Sequence, residues 1–343
     1  MNNFDRYDEI LKIDGHMHYN VDRPAMLELA EQENFRFVSF NTDIYFFPTV
    51  PEQERIVLNQ RKKFGNRLDY ICTFEARGFN EFRWVQRSID AIKLAVQNGA
   101  VGVKIWKNIG MELRDEAGNL VMMDDPRLEP LFNFLEERKI PLTGHLGEPK
   151  NCWLPIDKMT VGQDKDYFAQ HPEYHMYLHP EFPSYEAQIA ARDNALKKHP
   201  NLLFCGAHFA SVEWSIEEIA LRLDRYPNMM VDTAERICHL QLQSIERYDA
   251  VRNFVLKYQD RIIYATDLID DNSLSDEALK THLKKIWDRH WLYFTTGGMQ
   301  TSHKVDGPFK GLELPWEVIE KIYFKNAERF YKLKPIKNTV LVK

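Results

Sequence analysis

Short apolar runs alternate with amphipathic helical patterns along the chain. Several of these runs are apolar almost throughout, which is typical of strands covered by helices on one side and by packed layers on the other. Eight such runs predict an α/β fold of the TIM-type (β/α)₈ barrel class, in a single domain over residues 1–343. The predicted strands are Leu11–Gly15, Phe37–Asn41, Asp69–Glu75, Val101–Trp106, Pro141–His145, Leu202–Ala207, Met229–Asp232 and Ile262–Thr266.

Two stretches interrupt this alternation. The first, about residues 146–183, follows the fifth strand and is rich in aromatic residues, His and Pro. A connection of this length in a compact domain is usually functional, so we predict a loop insertion that acts as an active-site lid. The second, about residues 295–315, holds the Gly297-Gly298 pair and precedes a closing helix predicted over about residues 316–331.

Charge and composition exclude several classes of partner. The formal net charge is −6 and the chain has no long basic run, so neither nucleic acid nor an anionic membrane is expected as a partner. A small-molecule substrate is expected instead. No segment approaches the roughly 20 apolar residues of a membrane span, and the first residues lack the pattern of a signal peptide. The four cysteines lie far apart and form no CxxC pair, so a disulfide framework is not expected. A cytoplasmic enzyme fits this composition.

Candidate metal ligands follow four of the predicted strands. In the first strand, His16 and His18 are two residues apart, so both side chains lie on one face. His145, His208 and Asp267 come directly after the fifth, sixth and eighth apolar runs. The carboxyl ends of barrel strands are where a TIM barrel collects its catalytic groups. Imidazoles and a carboxylate at one such mouth indicate a metal site.

This arrangement resembles the amidohydrolase superfamily, and more narrowly its amidohydrolase-2 group, which includes hydrolases, lactonases, hydratases and decarboxylases. The closing motifs LPWE (314–317) and NAERF (326–330) are also similar to that group's C-terminal helix. The resemblance implies one divalent ion, with Zn²⁺ as the first expectation, that activates a water. It also allows a homodimer. The implied metal ligands are His16, His18, His145 and Asp267, and the implied acid/base groups are Asp267 and His208.

Lys104 determines how many ions the resemblance implies. It lies inside the fourth apolar run, where a lysine is costly to bury unless it is paired or modified. Its expected use is contact with a substrate anion or a salt bridge. The alternatives are a carboxylated lysine that bridges a second metal, as in dinuclear relatives, and a structural lysine.

Four further residues are candidates for substrate binding. Arg77 follows the third strand beside Glu75, and the two form either a substrate contact or a surface ion pair. Arg236 follows the seventh strand and either binds a substrate carboxylate or pairs with Asp232, the last residue of that strand. The candidates are Arg77, Glu148, Trp153 and Arg236.

The leading hypothesis is metal-assisted hydrolysis of an amide, lactone or ester-like bond in a small carboxylated substrate. A non-oxidative decarboxylase on the same metal site is the alternative, and released CO₂ without incorporated water would identify it. A catalytically inactive barrel that serves as a binding protein is a third hypothesis, which predicts protein without stoichiometric metal.

Overall fold

A computed structural model describes residues 3–336. Within this range nine strands form one parallel sheet in the order β8-β7-β6-β5-β4-β3-β2-β1-β9, and β10 and β11 form an antiparallel hairpin. The strands are β1 (Lys12–Tyr19), β2 (Phe35–Phe40), β3 (Leu68–Thr73), β4 (Val103–Ile105), β5 (Leu142–Gly144), β6 (Phe204–Gly206), β7 (Met229–Asp232), β8 (Ile262–Ile263), β9 (Ile269–Asp270), β10 (Met299–Ser302) and β11 (Val305–Lys310).

Helices follow the strands in the alternation that the sequence predicts. They are α1 (Ala25–Gln32), α2 (Val50–Phe64), α3 (Trp84–Gln97), α4 (Asn108–Met111), α5 (Glu129–Arg138), α6 (Gly162–Gln170), α7 (Tyr185–Lys198), α8 (Ala207–Ala210), α9 (Ile216–Arg225), α10 (Ile237–Lys257), α11 (Asp276–Thr295), α12 (Trp316–Glu320) and α13 (Asn326–Tyr331). The predicted TIM-type barrel is therefore confirmed. Among the described helices, none is both long and apolar enough to cross a membrane.

The first and last strands of the barrel meet at β1. The Gly15 N–H donates to the Tyr264 carbonyl at 2.9 Å, and the Asp267 N–H donates to the His16 carbonyl at 2.8 Å. This approach requires glycine, because a Cβ at position 15 would lie 2.5 Å from Cγ2 of Ile263. Closure at this seam joins the strand that carries the two histidines to the segment that carries Asp267.

The C-terminal helices close the amino-terminal end of the barrel. A buried cluster joins residues of several strands to Ala327, Phe330 and Tyr331. Asn326 anchors this segment, since its Nδ2 donates to the carbonyls of Gln259 and Ile262, both at 2.7 Å. The predicted closing helix is not continuous, because a π-helical turn over Lys321–Lys325 separates α12 from α13.

The two interrupted stretches contact each other. The segment after β5, residues 146–183, contains α6 and four short 3₁₀ turns (Lys150–Trp153, Ile156–Lys158, Pro172–Tyr174 and Met176–Leu178). The Gly162 N–H at the start of α6 donates to the Lys304 carbonyl, at 3.1 Å, in the turn between β10 and β11. The sequence pattern predicts no strands in this second stretch, and the hairpin corrects that interpretation.

Candidate metal centre and active site

β1 directs two imidazoles to one point at the barrel mouth. Each histidine uses Nδ1–H to donate to an acceptor, His16 to Oδ2 of Asp232 at 2.9 Å and His18 to the Phe40 carbonyl at 2.8 Å. These acceptors place the proton on Nδ1 and leave the Nε2 lone pair available as a ligand. The two Nε2 atoms lie 3.2 and 3.3 Å from the same oxygen, Oδ1 of Asp267.

Asp267 lies between β8 and β9, with a φ of 61°. Its carboxylate completes a group of three donor atoms that lie within 4.8 Å of one another. Burial raises the pKa of this carboxyl, but the neighbouring His208 and His16 together hold the pKa well below its usual range. Asp267 is thus a carboxylate at neutral pH, as a metal ligand must be.

His208 begins an unusual turn after β6. Four consecutive residues, His208–Ser211, have φ values of 58°, 51°, 60° and 54°. A left-handed conformation costs roughly 1–2 kcal/mol per residue for residues with a Cβ. The turn folds back on Gly206, where an added Cβ would lie 2.3 Å from Cβ of Ala210. Such strain is found where the surrounding structure enforces it, often at functional sites.

Three hydrogen bonds hold this turn, two from α7 and one to the segment that follows β7. The Tyr185 hydroxyl donates to the Ser211 carbonyl at 2.6 Å, and the Arg192 guanidinium donates to the Ala210 carbonyl. The Nδ1–H of His208 donates to the Ala234 carbonyl at 2.9 Å. The Nε2 of His208 therefore faces the site, 3.9 Å from Oδ2 of Asp267. Burial is the main cause that lowers the pKa of His208 to about 3, so its imidazole is neutral.

Asp232 links the two halves of the site. Besides accepting from His16, its carboxylate accepts the backbone N–H of His208 at 2.7 Å and that of Ala234 at 3.2 Å, both on Oδ1. The pairing of Asp232 with Arg236, one of the two alternatives from the sequence, is not formed in the described structure. Asp232 instead orients His16 and the strained turn that carries His208.

His145 and Lys104 lie beside the three clustered donors. The Nδ1 of His145 is 3.2 Å from Nε2 of His208, and His145 is not part of the compact donor group of the described residues. The Nζ of Lys104 lies 3.2 Å from Nε2 of His16. No described carboxylate lies within 4.0 Å of this ammonium, so the salt-bridge alternative for Lys104 is not formed. Burial lowers the pKa of Lys104 to about 8.

The donors open into a cavity of about 380 Å³. Lys107 and Glu148 form an ion pair in its wall. The β2–α2 loop contributes Phe46 and Phe47, and the ring of Phe47 lies 5.1 Å from that of His18. Residues 146–183 also contribute several lining side chains: Glu148, Pro149, Gln163, Asp164, Tyr167 and Phe168.

The predicted substrate-binding residues divide into two groups. Lys104, Glu148 and Arg236 line the cavity. Arg77 and Trp153 are not among the residues that line this cavity. Arg77 is exposed beyond β3. The Trp153 Nε1–H donates to the Pro183 carbonyl at 3.2 Å and its ring packs on Tyr185, so it fastens the insertion to α7.

Several residues that the sequence interpretation did not select also belong to the site. Lys107, Asp164 and Phe47 line the cavity. Lys107 had a usable signal, because it follows the fourth apolar run directly and such positions face the barrel mouth. Phe47 lies in the β2–α2 loop and Asp164 in α6 of the segment after β5, and local sequence patterns do not indicate the path of either segment.

The amidohydrolase family model matches residues 13–333, which is most of the chain. The chain belongs to the amidohydrolase family. Its barrel closure, its HxH strand and its terminal NAERF segment all fall within the matched region. The comparison with curated proteins found no match.

Solved structures resemble this amidohydrolase in fold at low sequence identity. 2,6-Dihydroxybenzoate decarboxylase from Rhizobium is 15% identical with a TM-score of 0.53, over 94% of this chain and 98% of that one. A dihydroxybenzoic acid decarboxylase from Polaromonas, solved with manganese and the inhibitor 2-nitroresorcinol, is 13% identical with a TM-score of 0.53, over 96% and 99%. An uncharacterised TIM-barrel protein from Bordetella bronchiseptica is 18% identical with a TM-score of 0.51, over 90% and 82%.

Proposed function

We propose that this amidohydrolase is a metal-dependent hydrolase that cleaves an amide, lactone or ester-like bond of a small carboxylated substrate. The observation that carries the proposal is the approach of two imidazole Nε2 atoms to one oxygen of Asp267, at 3.2 and 3.3 Å, with His208 facing the other oxygen. One carboxylate is thereby placed to act both as a ligand and as a proton acceptor.

The donor set fits a divalent ion. Two neutral imidazoles and a carboxylate suit Zn²⁺, and a site of three protein ligands leaves a position open for water. His16, His18 and Asp267 would hold the ion, and His145 stays a predicted fourth ligand. When bound, such an ion supplies Lewis-acid polarisation of a carbonyl and lowers the pKa of water. We take Zn²⁺ as the first choice and Mn²⁺ as the second, because the Polaromonas decarboxylase holds manganese.

The side chains of this protein supply the proton transfers. Oδ2 of Asp267 accepts a proton from the attacking water. The neutral His208 presents an unprotonated Nε2 to Asp267, so it relays that proton to the leaving group. The ammonium of Lys104 and the guanidinium of Arg236 attract an anionic substrate into the cavity, while Phe46 and Phe47 restrict access of bulk water.

The test uses purified protein loaded with Zn²⁺ or Mn²⁺ and a panel of N-acyl amino acids and carboxylated lactones in H₂¹⁸O. Hydrolysis incorporates one ¹⁸O per turnover, and Asp267→Asn should lower turnover at least about a hundredfold. The matched control is Arg289→Met on α11, since Arg289 lies outside the cavity and donates to His303. Turnover by Asp267→Asn equal to that of the control would contradict the proposal. Failure of the purified protein to take up stoichiometric Zn²⁺ or Mn²⁺ would favour the barrel that only binds a ligand.

A decarboxylase is the second candidate, and Lys104 favours it. A buried ammonium 3.2 Å from a metal-site histidine, with no carboxylate partner among the described residues, suits a substrate carboxylate bound next to the ion. The structural resemblance to dihydroxybenzoate decarboxylases adds support from fold alone. Incubation with hydroxybenzoic acids in H₂¹⁸O distinguishes the hydrolase from the decarboxylase. CO₂ release without ¹⁸O incorporation in the organic product identifies the decarboxylase.

A further inference from the structure

Arg236 is a buried cation without a carboxylate partner among the described residues. It precedes α10, lines the catalytic cavity and is 9% exposed. Among the described residues its Nε has no hydrogen-bond acceptor, and the single hydrogen bond of its side chain is a long one, from Nη1 to the Glu235 carbonyl at 3.4 Å. A buried charge is costly unless it is paired. A guanidinium held in this way is prepared to bind an anion.

The other cations around the cavity differ from Arg236. Lys107 is neutralised by its ion pair with Glu148. Lys304, at the hairpin turn, pairs with Glu235 at 3.1 Å. Lys104 lies against a metal-site imidazole. Arg236 is therefore the guanidinium in this cavity whose positive charge is open to a ligand.

The two carboxylates whose charges act most strongly on Arg236, Asp164 and Glu213, make no hydrogen bond to it among the described residues. Asp164 accepts from Nδ2 of Asn151 at 2.8 Å and lies 3.4 Å from Nε2 of His239. Oε1 of Glu213 accepts the Lys150 N–H at 3.2 Å, while its buried Oε2 has no hydrogen-bond partner among the described residues. Burial lowers the pKa of Arg236, but the charges of Asp164 and Glu213 together raise it, so the guanidinium stays protonated. These acids hold the charge without occupying its hydrogen-bonding edge.

Aromatic side chains line the same cavity as Arg236. Tyr167 and Phe168 come from α6, and Phe46 and Phe47 come from the β2–α2 loop. Flat apolar walls of this kind suit an aromatic or conjugated ligand. Planar guanidinium geometry suits bidentate binding of a carboxylate.

We propose that Arg236 binds a carboxylate of the substrate that is distinct from the group that reacts, so that the substrate is an unsaturated or aromatic acid with two functional ends. This inference rests on the proposed function, which places the reacting group at Asp267 and His208. The pocket then selects substrates that carry, besides the reacting group, an anionic group that takes no part in bond cleavage. Loss of that contact weakens ground-state and transition-state binding alike and raises KM more than it lowers kcat.

The test measures benzoate and isophthalate binding by calorimetry to chelator-treated, metal-free protein, so that it does not depend on the reaction. Arg236→Met should weaken binding of both probes at least tenfold, while the control Arg289→Met stays within twofold of the natural protein. Benzamide, which has the same shape without the charge, should bind at least tenfold more weakly than benzoate to the natural protein.

Arg236→Lys serves as a second variant that keeps the buried charge and so the fold. It should retain part of the preference for benzoate over benzamide, because an ammonium attracts a carboxylate but cannot bind it bidentately. Equal affinities of benzoate and benzamide for the natural protein, or unchanged benzoate affinity in both Arg236 variants, would overturn the proposal. Failure of the metal-loaded enzyme to hydrolyse its panel leaves these binding results intact, so the two proposals fail separately.

Discussion

Replacement of Asp232 by Asn removes a carboxylate that orients His16, one of the three donors of the candidate metal site. Asp232 is fully buried and accepts three hydrogen bonds: one from the His16 ring and two from backbone amides, those of His208 and Ala234. Asn has nearly the same shape, but its amide group has one acceptor oxygen and one NH₂ donor. In either orientation at least one N–H of these partners faces the NH₂ group instead of an oxygen.

The magnitude follows from the hydrogen bonds that are lost. A hydrogen bond to a charged group contributes about 1.5–3 kcal/mol. Removal of a partner that orients a metal-bound histidine typically costs 10–100-fold in metal affinity. We therefore expect Asp232→Asn to raise the dissociation constant for Zn²⁺ by about 10–100-fold, which equals about 1.4–2.7 kcal/mol.

The assay is a titration of Zn²⁺ against a fluorescent chelator at pH 7, with thermal unfolding in excess EDTA as the measure of stability without metal. Asp69→Asn is the matched control, because Asp69 is also a buried strand aspartate but lies near the start of β3, where its Oδ2 accepts from Nε of Arg36 at 2.7 Å. The control should lose stability and keep its Zn²⁺ affinity. Equal Zn²⁺ affinities for Asp232→Asn and the natural protein would refute the assigned role.

Three further outcomes are expected. His16→Ala should bind far less than one Zn²⁺ per chain. In the natural protein, free Zn²⁺ at a hundred times its dissociation constant should stabilise the fold by about 2.7 kcal/mol relative to the protein in EDTA. A melting temperature that does not change on addition of Zn²⁺ would contradict a single tight site. Trp287→Ala should lower the free energy of unfolding in urea by about 3–5 kcal/mol, because its buried ring stacks on Phe35 at 3.7 Å; a loss below 1 kcal/mol would contradict this packing. Burial lowers the pKa of Lys12 from 10.5 to about 8, so the unfolded chain binds more protons than the folded protein between these pH values. The stability of the natural protein relative to Lys12→Met should therefore rise by about 3 kcal/mol from pH 7.5 to 10.5. A stability difference that does not change with pH would refute the assigned burial cost.

The barrel strands were predictable because their apolar runs are long and regularly spaced. β7 has the bounds that the pattern predicts, and β1 extends past the predicted end to include both histidines. The eighth strand is shorter than predicted, since the chain leaves the extended conformation before Asp267 and pairs again with β1 as β9. The apolar content of residues 262–266 reflects burial at this closure rather than continuous strand pairing.

The candidate site was predictable as a set of residue types, but not as a network. Strand-end positions identified the three clustered donors and His208, because position along a strand places a side chain at the mouth. The bond between Asp232 and His16 joins residues far apart in the chain, and local patterns carry no information on such pairs. The left-handed turn after β6 has no glycine to signal it, because tertiary hydrogen bonds rather than residue preference enforce its conformation.

The seam at β1 has a consequence for the order in which the protein folds during synthesis. His16 and His18 leave the ribosome in the first strand, whereas Asp267 and the anchoring Asn326 follow near the end of the chain. The first strand must therefore remain without its final neighbour until almost the whole barrel has been made. Contacts between such distant parts of a chain form slowly. A nascent chain that has not yet released residues 264–270 leaves one edge of β1 unpaired, so the candidate metal centre is among the last parts of the barrel to assemble.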